Sequence, residues 1–236
     1  MRHTTAHGRV DGVPVPGVSN ETVVATYDRL AGVYDRLVAP FEAGTRRRVL
    51  DLLDVEPGER ALEIGCGPGH AAVALGERVG PDGRVLALDA APGMVARARR
   101  RCVRAGVADR VEVLLGDARR LPLRDGSVDV ALIEDTLELF AGSGIASVVD
   151  ELARVLGPRG QLGVVTMERE GAEDDPFTRG YDLVYEHVPG YDRVGCRPVY
   201  ARRALESAGF EIERWERHRR GGVWPVAVGV ARVRSD

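Results

Sequence analysis

The feature that most constrains this chain is a short apolar run that leads directly into a cluster of glycines. The run Arg60–Gly65 is β-like, and the residues that follow, Gly65-Cys66-Gly67-Pro68-Gly69-His70, open a segment with helical periodicity. Glycine permits a tight turn and lets the backbone approach a ligand closely, because it has no Cβ atom. A strand, a glycine turn and a helix in this order predict a βα unit with a ligand site where the strand ends.

Short β-like runs and longer helical runs alternate through most of the chain. The expected strands are Arg60–Gly65, Arg84–Asp89, Arg110–Leu115, Val128–Ile133 and Gln161–Thr166, and the expected helices cover about 69–79, 92–105, 143–156 and 198–208. Two final runs, Phe210–Trp215 and Val223–Val233, flank Gly221-Gly222 and predict an antiparallel hairpin. The alternation is typical of a parallel sheet with crossover helices.

Three segments fall outside this alternation: an N-terminal tail, a helical segment after it and an insertion near residue 180. Residues 1–19 are expected to form a flexible tail, and residues 20–236 a single domain. Apolar residues at three- and four-residue spacings predict an N-terminal helical cap over 20–54, with helices at 20–38 and 41–54. Residues 168–197 interrupt the alternation and are rich in aromatics, which predicts either a substrate-lid insertion or a solvated loop with one short helix.

Composition excludes several kinds of chemistry. All 33 basic residues are arginine, so there is no lysine for a Schiff base or for the phosphate-binding loop of an NTPase. A formal net charge of −3 does not favour nucleic acid as a partner. Three cysteines without a C-x-x-C pair favour a reducing, cytoplasmic location. The apolar stretch Val223–Val233 is broken by Pro225 and is too short to span a membrane.

The glycine turn has an acidic partner at the end of the next expected strand. Asp89 follows Gly69 by 20 residues, where a carboxylate can bind both ribose hydroxyls of an adenosine ligand. A dinucleotide site requires Gly or Ala at the position of His70, and a diphosphate would be repelled by Glu63. The spacing E-x-G-x-G-x-G therefore favours S-adenosylmethionine, a cationic cofactor without phosphate, over a nicotinamide dinucleotide.

Several motifs in this order resemble those of the class I S-adenosylmethionine-dependent methyltransferases. The segment 63–69 is similar to the family's first motif, Leu88-Asp89 to its ribose-binding motif, and Gly116-Asp117-Ala118 to the turn that contacts the adenine amine. The stretch 121–130 resembles the sequence before the family's fourth strand. The resemblance implies an α/β fold, in which a Rossmann-like doubly wound sheet of seven strands has its last strand antiparallel. The N-terminal helices and the expected lid insertion after strand five, both read from the residues, complete this architecture.

The resemblance also implies which residues bind the cofactor. They are Tyr34, Glu63, Gly65, Cys66, Gly67, Gly69, Asp89, Ala90, Met94, Asp117, Ala118 and Glu134. Tyr34 belongs to the segment 27–35, which looks like the YD-x-x-A-x-x-YD opening of the ubiquinone/menaquinone biosynthesis methyltransferase group. An aromatic ring beside a sulfonium is a favourable cation–π arrangement.

Methyl transfer from a sulfonium depends mainly on alignment, and a base is needed only when the acceptor must lose a proton. His187 is the candidate base, because it lies in the expected lid and histidine readily accepts protons near neutral pH. No metal is expected, since the resemblance implies that the turn at Glu134 packs against the cofactor. The arginine runs Arg46–Arg48 and Arg217–Arg220 are expected to form solvated outer faces.

The sequence thus predicts a methyltransferase that uses S-adenosylmethionine, releases S-adenosylhomocysteine and acts on a small-molecule acceptor. The expected acceptor atom is an oxygen or carbon of an aromatic, quinol or polyketide-like compound bound beneath the cap and the lid. Two alternatives stay open: an N-methyltransferase of an amine or lipid headgroup, and a protein that binds the cofactor without transferring methyl. A homodimer is compatible with the sequence, which does not determine the oligomeric state.

Overall fold

A seven-stranded sheet forms the centre of the protein. The computed structural model describes residues 9–10, 13–14, 20–140, 142–188 and 196–234. Before the main sheet, the two-residue strands β1 (Arg9–Val10) and β2 (Val13–Pro14) pair antiparallel, and the rest of the expected flexible tail lies outside the described residues. The strands of the main sheet are β3 (Arg60–Ile64), β4 (Arg84–Asp89), β5 (Val111–Leu115), β6 (Val128–Glu134), β7 (Leu156–Met167), β8 (Phe210–Arg220) and β9 (Trp224–Val233).

The order of the strands confirms the predicted doubly wound topology. The sheet runs β5-β4-β3-β6-β7-β9-β8, and β9 is antiparallel to both of its neighbours. In the parallel part, Ile64 of β3 is level with Leu88 of β4 and Ile133 of β6. The carboxyl ends of these three strands therefore meet at one edge, where ligands bind in open α/β sheets.

Helices cover both faces of the sheet. They are α1 (Asn20–Leu30), α2 (Tyr34–Leu37), α3 (Ala39–Leu52), α4 (His70–Val79), α5 (Pro92–Ala105), α6 (Gly142–Val155), α7 (Pro176–His187) and α8 (Ala201–Ser207), with a 3₁₀ turn at Leu137–Leu139. One core, with Val49, Leu75 and Val95, lies under α3, α4 and α5. The other, with Leu152 and Leu205, lies under α6 and α8.

Several expected boundaries differ from the structure: β7, for example, begins at Leu156, five residues before the expected start at Gln161. Two of the differences have identifiable reasons. The predicted helix 20–38 is divided into α1 and α2 by a turn at residues 31–33, which contains Gly32, and glycine is a poor helix former. Strand β8 continues to Arg220, beyond the expected end at Trp215. It is an edge strand, and such strands tolerate charged side chains because one side of the ladder is unpaired.

The predicted insertion 168–197 contains α7. Tyr181 and Tyr185 of this helix pack against Met167, with Phe177, Cys196 and Trp224 at the margin of the cluster. Residues 189–195 lie outside the described part of the chain. Among the described residues, no helix has the length and apolar character needed to cross a bilayer.

Candidate active site

A cavity of about 890 Å³, part of it open to solvent, lies where β3, β4 and β6 end. The cap helices α1, α2 and α3 contribute its other wall. The lining includes all the predicted cofactor residues except Gly69: Tyr34, Glu63, Gly65, Cys66, Gly67, Asp89, Ala90, Met94, Asp117, Ala118 and Glu134. The structure thus brings together residues that are widely separated along the chain.

The three glycines of the turn have different structural roles. All have positive φ, at 68° for Gly65, 50° for Gly67 and 86° for Gly69, a region that L side chains rarely adopt. A Cβ on Gly65 would lie 2.0 Å from Thr136 Oγ1, and one on Gly69 would lie 2.8 Å from the Ala98 Cα of α5. A Cβ on Gly67 would meet no heavy atom within 4 Å. Gly65 and Gly69 therefore allow close packing, whereas Gly67 leaves room for a ligand.

Asp89 is fixed at the end of β4 by two backbone N–H groups. The amide of Gly67 donates to Oδ2 and that of Ala91 donates to Oδ1, each at 2.8 Å. Burial raises the pKa of Asp89, and these hydrogen bonds oppose the shift. Each carboxylate oxygen has a second lone pair, so both can still accept a hydrogen bond from a ligand.

The apolar Met94 and the charged Asp117 also line the cavity. Met94 is 1% exposed and packs with Ala31 of the cap and Ala91. Asp117 follows β5, and Arg119 donates to both of its oxygens through Nε and Nη2. The hydrogen bonds from Arg119 lower the pKa of Asp117, so this carboxyl stays ionised as a hydrogen-bond acceptor.

The two tyrosines of the N-terminal motif line the cavity from the cap side. The ring centroids of Tyr27 and Tyr34 are 6.3 Å apart. The Tyr34 hydroxyl donates to Glu42 Oε1 at 2.6 Å. Burial, followed by the nearby charge of Glu42, raises the pKa of Tyr34, so the phenol remains neutral.

The two aspartates of the same motif bind the cap to the body of the protein. Asp28 Oδ1 accepts from the Gly93 amide in the first turn of α5 at 2.6 Å. Asp35 Oδ1 lies 3.0 Å from His70 Nε2 and accepts from Arg101 Nη2 at 2.9 Å. The motif therefore supplies aromatic rings to the cavity and carboxylates to the joint between cap and sheet.

Buried carboxyl groups dominate the inner end of the cavity. Arg46 donates to Glu42 Oε2 through Nη2 and to Glu134 Oε2 through Nε, both at 2.9 Å. Glu63 Oε2 and Glu134 Oε1 have no hydrogen-bond partner within the described part of the chain. Burial raises the pKa of Glu63, and it raises that of Glu134 to about 8. A ligand with cationic groups would satisfy these atoms, as S-adenosylmethionine would through its ammonium and sulfonium.

Glu42 and Glu134, together with Asp135, the residue that follows β6, lie close enough together to hold a metal ion. Oxygens of Glu42, Glu134 and Asp135 lie within 4.8 Å of one another. Arg46 pairs with the first two, and Arg220 donates to both oxygens of Asp135. Because guanidinium groups already occupy positions around these oxygens, we assign the carboxylates to arginine pairing.

Three other sequence candidates have less direct roles. Cys66 lines the cavity, but burial raises the pKa of its thiol, which makes it unreactive. His70 also lines the cavity, and its pKa is lowered, mainly by burial. His187 is exposed near the end of α7, with Nδ1 3.0 Å from the Leu183 carbonyl oxygen. The structure does not bring His187 to the cavity, and no described residue of the 168–197 insertion lines it.

Sequence reasoning missed two arginines of the site. The expectation of a solvated face is wrong for Arg46 and Arg220, whose side chains are 12% and 16% exposed. Arg46 could have been found, since Glu42 precedes it by one helical turn on α3. Arg220 pairs with a residue 85 positions away, and no local pattern indicates such a contact.

Comparison with known proteins places the chain in a family. A family model described as a methyltransferase domain matches residues 61–160. A demethylmenaquinone methyltransferase of Lactobacillus johnsonii is 30% identical over 187 residues, which cover 75% of this chain and 72% of that protein. The chain belongs to the S-adenosylmethionine-dependent methyltransferases.

Other methyltransferases are similar over a smaller part of their length or in fold alone. A nocamycin O-methyltransferase of Saccharothrix syringae is 37% identical over 138 residues, which cover 58% of this chain and 48% of that protein. This chain therefore spans about half the length of that relative. An S-adenosylmethionine-dependent methyltransferase from Aquifex aeolicus has the same fold, with a TM-score of 0.59, 23% identity, and coverage of 80% of this chain and 89% of that one.

Proposed function

We propose that this protein transfers a methyl group from S-adenosylmethionine to a small molecule, at an oxygen or carbon atom of an aromatic, quinol or polyketide-like acceptor. The observation that carries the proposal is one cavity with two chemically different walls. The glycine turn and Asp89 form a polar wall suited to the cofactor, and the cap supplies an apolar, aromatic wall with Val23, Val24 and Tyr27. The names of the relatives, a demethylmenaquinone and a nocamycin O-methyltransferase, support this acceptor class.

The proposed cofactor contacts follow from the side chains that face the cavity. Asp89 would accept hydrogen bonds from the ribose hydroxyls, and Asp117 would accept one from the adenine amine. Glu63 and Glu134 would face the cationic end, where each has a buried oxygen without a partner. The cofactor supplies a methyl group on a sulfonium, which is already a good leaving group.

The chain's own contribution to the reaction would be alignment and exclusion of water. Tyr27, Tyr34 and Phe140 line the cavity and would provide flat aromatic surfaces beside an acceptor. Holding nucleophile and methyl group in line converts a bimolecular step into an effectively unimolecular one. His187 is not assigned the role of base in this proposal, because it lies outside the cavity.

Calorimetry with S-adenosylhomocysteine tests the cofactor half of the proposal. We expect binding by the parent protein and its loss in Asp89→Ala, which removes the carboxylate without filling the cavity. Arg217→Ala, on the exposed side of β8, is the matched control. Binding of NADH in place of S-adenosylhomocysteine would overturn the assignment.

Turnover of cofactor with a labelled methyl group tests the acceptor half. The panel should contain phenols, quinols, enolisable polyketide-like compounds and amines. Labelled product from the first three classes supports the proposal. Cofactor binding without any labelled product would favour a binding protein that does not transfer methyl.

An amine acceptor is the second candidate, favoured by the charge at the inner end of the cavity. Four carboxyl groups, those of Glu42, Glu63, Glu134 and Asp135, line it together with one guanidinium, that of Arg46. A protonated amine would be attracted to these carboxyl groups, and its charge would favour ionisation of Glu63 and Glu134, whose pKa values burial raises. Methylation of amines alone in the same panel would decide for this candidate.

A further inference from the structure

Arg220 differs from the other arginines near the end of β8. It is the last residue of the strand, and its side chain is 16% exposed, compared with 51% for Arg217 and 52% for Arg219. A largely buried guanidinium requires a defined partner, because removing its charge from water is costly. Its partners therefore indicate why it is placed there.

The guanidinium of Arg220 joins three elements that are distant in sequence. Nη1 donates to Asp135 Oδ1 at 3.1 Å, and Nη2 donates to Asp135 Oδ2 at 2.8 Å. Nη2 also donates to Thr45 Oγ1 of the cap helix α3 at 2.7 Å. The bidentate geometry fixes the orientation of the carboxylate as well as its charge. The tip of the β8–β9 hairpin is thus bound both to the cap and to the residue that follows β6.

Asp135 has a strained backbone at the carboxyl edge of the sheet. Its φ of 45° makes it the single non-glycine residue with positive φ in the described part of the chain. Such a conformation persists only where surrounding contacts enforce it, and it is frequent at functional sites. The contacts here are the Arg220 pair and a hydrogen bond from the Asp135 amide to the Val165 carbonyl oxygen at 2.8 Å.

The turn around Asp135 also contacts the glycine turn. The next residue, Thr136, donates from its hydroxyl to the Glu134 carbonyl oxygen at 2.8 Å. Its side chain fills the space beside Gly65, where a Cβ would lie 2.0 Å from Oγ1. A shift of Asp135 would therefore move groups that line the cavity on both sides.

We propose that Arg220 is a positioning residue for methyl transfer, which holds the Asp135 carboxylate toward the acceptor and keeps helix α3 beside it. The inference rests on the proposed function, with Asp135 as the group that meets an acceptor hydroxyl. The oxygen lone pair forms the bond to the methyl carbon, and the electrons of the breaking C–S bond return to sulfur. The hydroxyl proton passes to Asp135 and then to solvent, which leaves the carboxylate as before.

The charges around Asp135 determine how the loss of the Arg220 guanidinium would be observed. Burial raises the pKa of Asp135, and Arg220, followed by Arg46, opposes that shift. Loss of the guanidinium should therefore raise this pKa further. The other titratable groups that face it come from the cap, from its own turn and from the segment after α7: Tyr27, Tyr34, Glu42, Glu134, Glu138 and Cys196.

The test compares Arg220→Ala, Arg220→Lys and Arg217→Ala with the parent protein. We expect Arg220→Ala to lower kcat by about 10- to 100-fold, the range that misalignment produces. The affinity for S-adenosylhomocysteine should stay within about threefold, and the acidic limb of the kcat–pH profile should move to higher pH. Arg220→Lys should recover part of kcat, because lysine keeps the charge without the bidentate geometry. Arg217→Ala should match the parent.

Hydrogen exchange provides a readout that does not depend on turnover. In Arg220→Ala, amides at 134–138 and 42–50 should exchange faster, and those of β4 should not change. If the parent methylates no acceptor, the proposed function fails and the positioning role in methyl transfer fails with it, while the exchange data still decide whether Arg220 holds the Asp135 turn and helix α3 in place. Unchanged exchange, an unchanged kcat–pH profile, or a loss of kcat that only follows a loss of cofactor affinity would each overturn the inference.

Discussion

Replacement of Gly65 by alanine provides the most direct test of how the glycine turn is built. The new Cβ would lie 2.0 Å from Thr136 Oγ1, 2.5 Å from its Cγ2 and 2.8 Å from its Cβ. These atoms belong to a short, β-branched side chain whose hydroxyl is bonded to the Glu134 carbonyl oxygen. The neighbour therefore cannot move aside without disturbing the turn after β6.

Two costs add at this position. A left-handed backbone costs an L residue about 1–2 kcal/mol, and forcing an extra carbon into a packed region costs about 1–3 kcal/mol. We expect Gly65→Ala to lower the free energy of unfolding by about 2–5 kcal/mol, a large part of the 5–15 kcal/mol typical of a domain. The melting temperature should fall by about 2–4 °C for each kcal/mol.

Gly67→Ala is the matched control, because it has positive φ but open space around the added carbon. It should lose only the backbone part of the stability, about 1–2 kcal/mol. It should also weaken S-adenosylhomocysteine binding, because its Cβ would occupy open space beside the cavity proposed for the cofactor. Urea unfolding followed by circular dichroism measures the first effect, and calorimetry measures the second. The double variant Gly65→Ala/Thr136→Gly should regain the part of the unfolding free energy that Gly65→Ala loses through the steric clash with Thr136. Equal destabilisation by both alanine variants, or no recovery in the double variant, would refute the steric argument.

Three further outcomes follow from the contacts of the site. Asp89→Asn keeps one carbonyl oxygen for a backbone N–H and should weaken S-adenosylhomocysteine binding by about 1–3 kcal/mol in calorimetry, less than Asp89→Ala. Burial raises the folded-state pKa of Glu134 and Glu138 to about 8, above the unfolded value of about 4.3. The folded ligand-free protein therefore retains protons that the unfolded chain releases, and its stability should fall as pH rises from about 5 to 8; Glu138→Gln should reduce this slope in urea titrations. Asp35→Asn should change stability by less than about 1 kcal/mol, since its ion pairs are partly exposed, but it should accelerate hydrogen exchange across residues 31–38.

Local patterns predicted the sheet with few errors, and the residues predicted to bind the cofactor, apart from Gly69, line one cavity. The runs that became β3, β4 and β6, the glycine turn and Asp89 are contiguous signals, and strand order then follows from the rules for parallel sheets. Most of these residues are close to strand ends, so their position is determined once the strands are known. Gly69 is the exception. A glycine is needed there because a Cβ would collide with Ala98, which lies 29 positions later on another helix.

The part of the cavity that we propose for the acceptor could not be predicted to the same degree. Its polar groups come from α3, from the turn after β6 and from the tip of the β8–β9 hairpin, and their contacts depend on tertiary packing. The long run of charges around Arg220 concealed a buried residue among exposed ones. The residue type of His187 and its place in an aromatic segment favour it as a base, but α7 turns its side chain to solvent.

The joint between the cap and the body of the protein has a consequence for turnover. Helix α2 is bound to α4 and α5 through Asp35, His70 and Arg101, which are partly exposed, and it has no buried residue of its own. Contacts of this kind are weakened by dissolved ions, whereas the apolar contacts beneath α3 are not. Release of S-adenosylhomocysteine should therefore become faster as ionic strength rises, while the sheet and the glycine turn keep their shape.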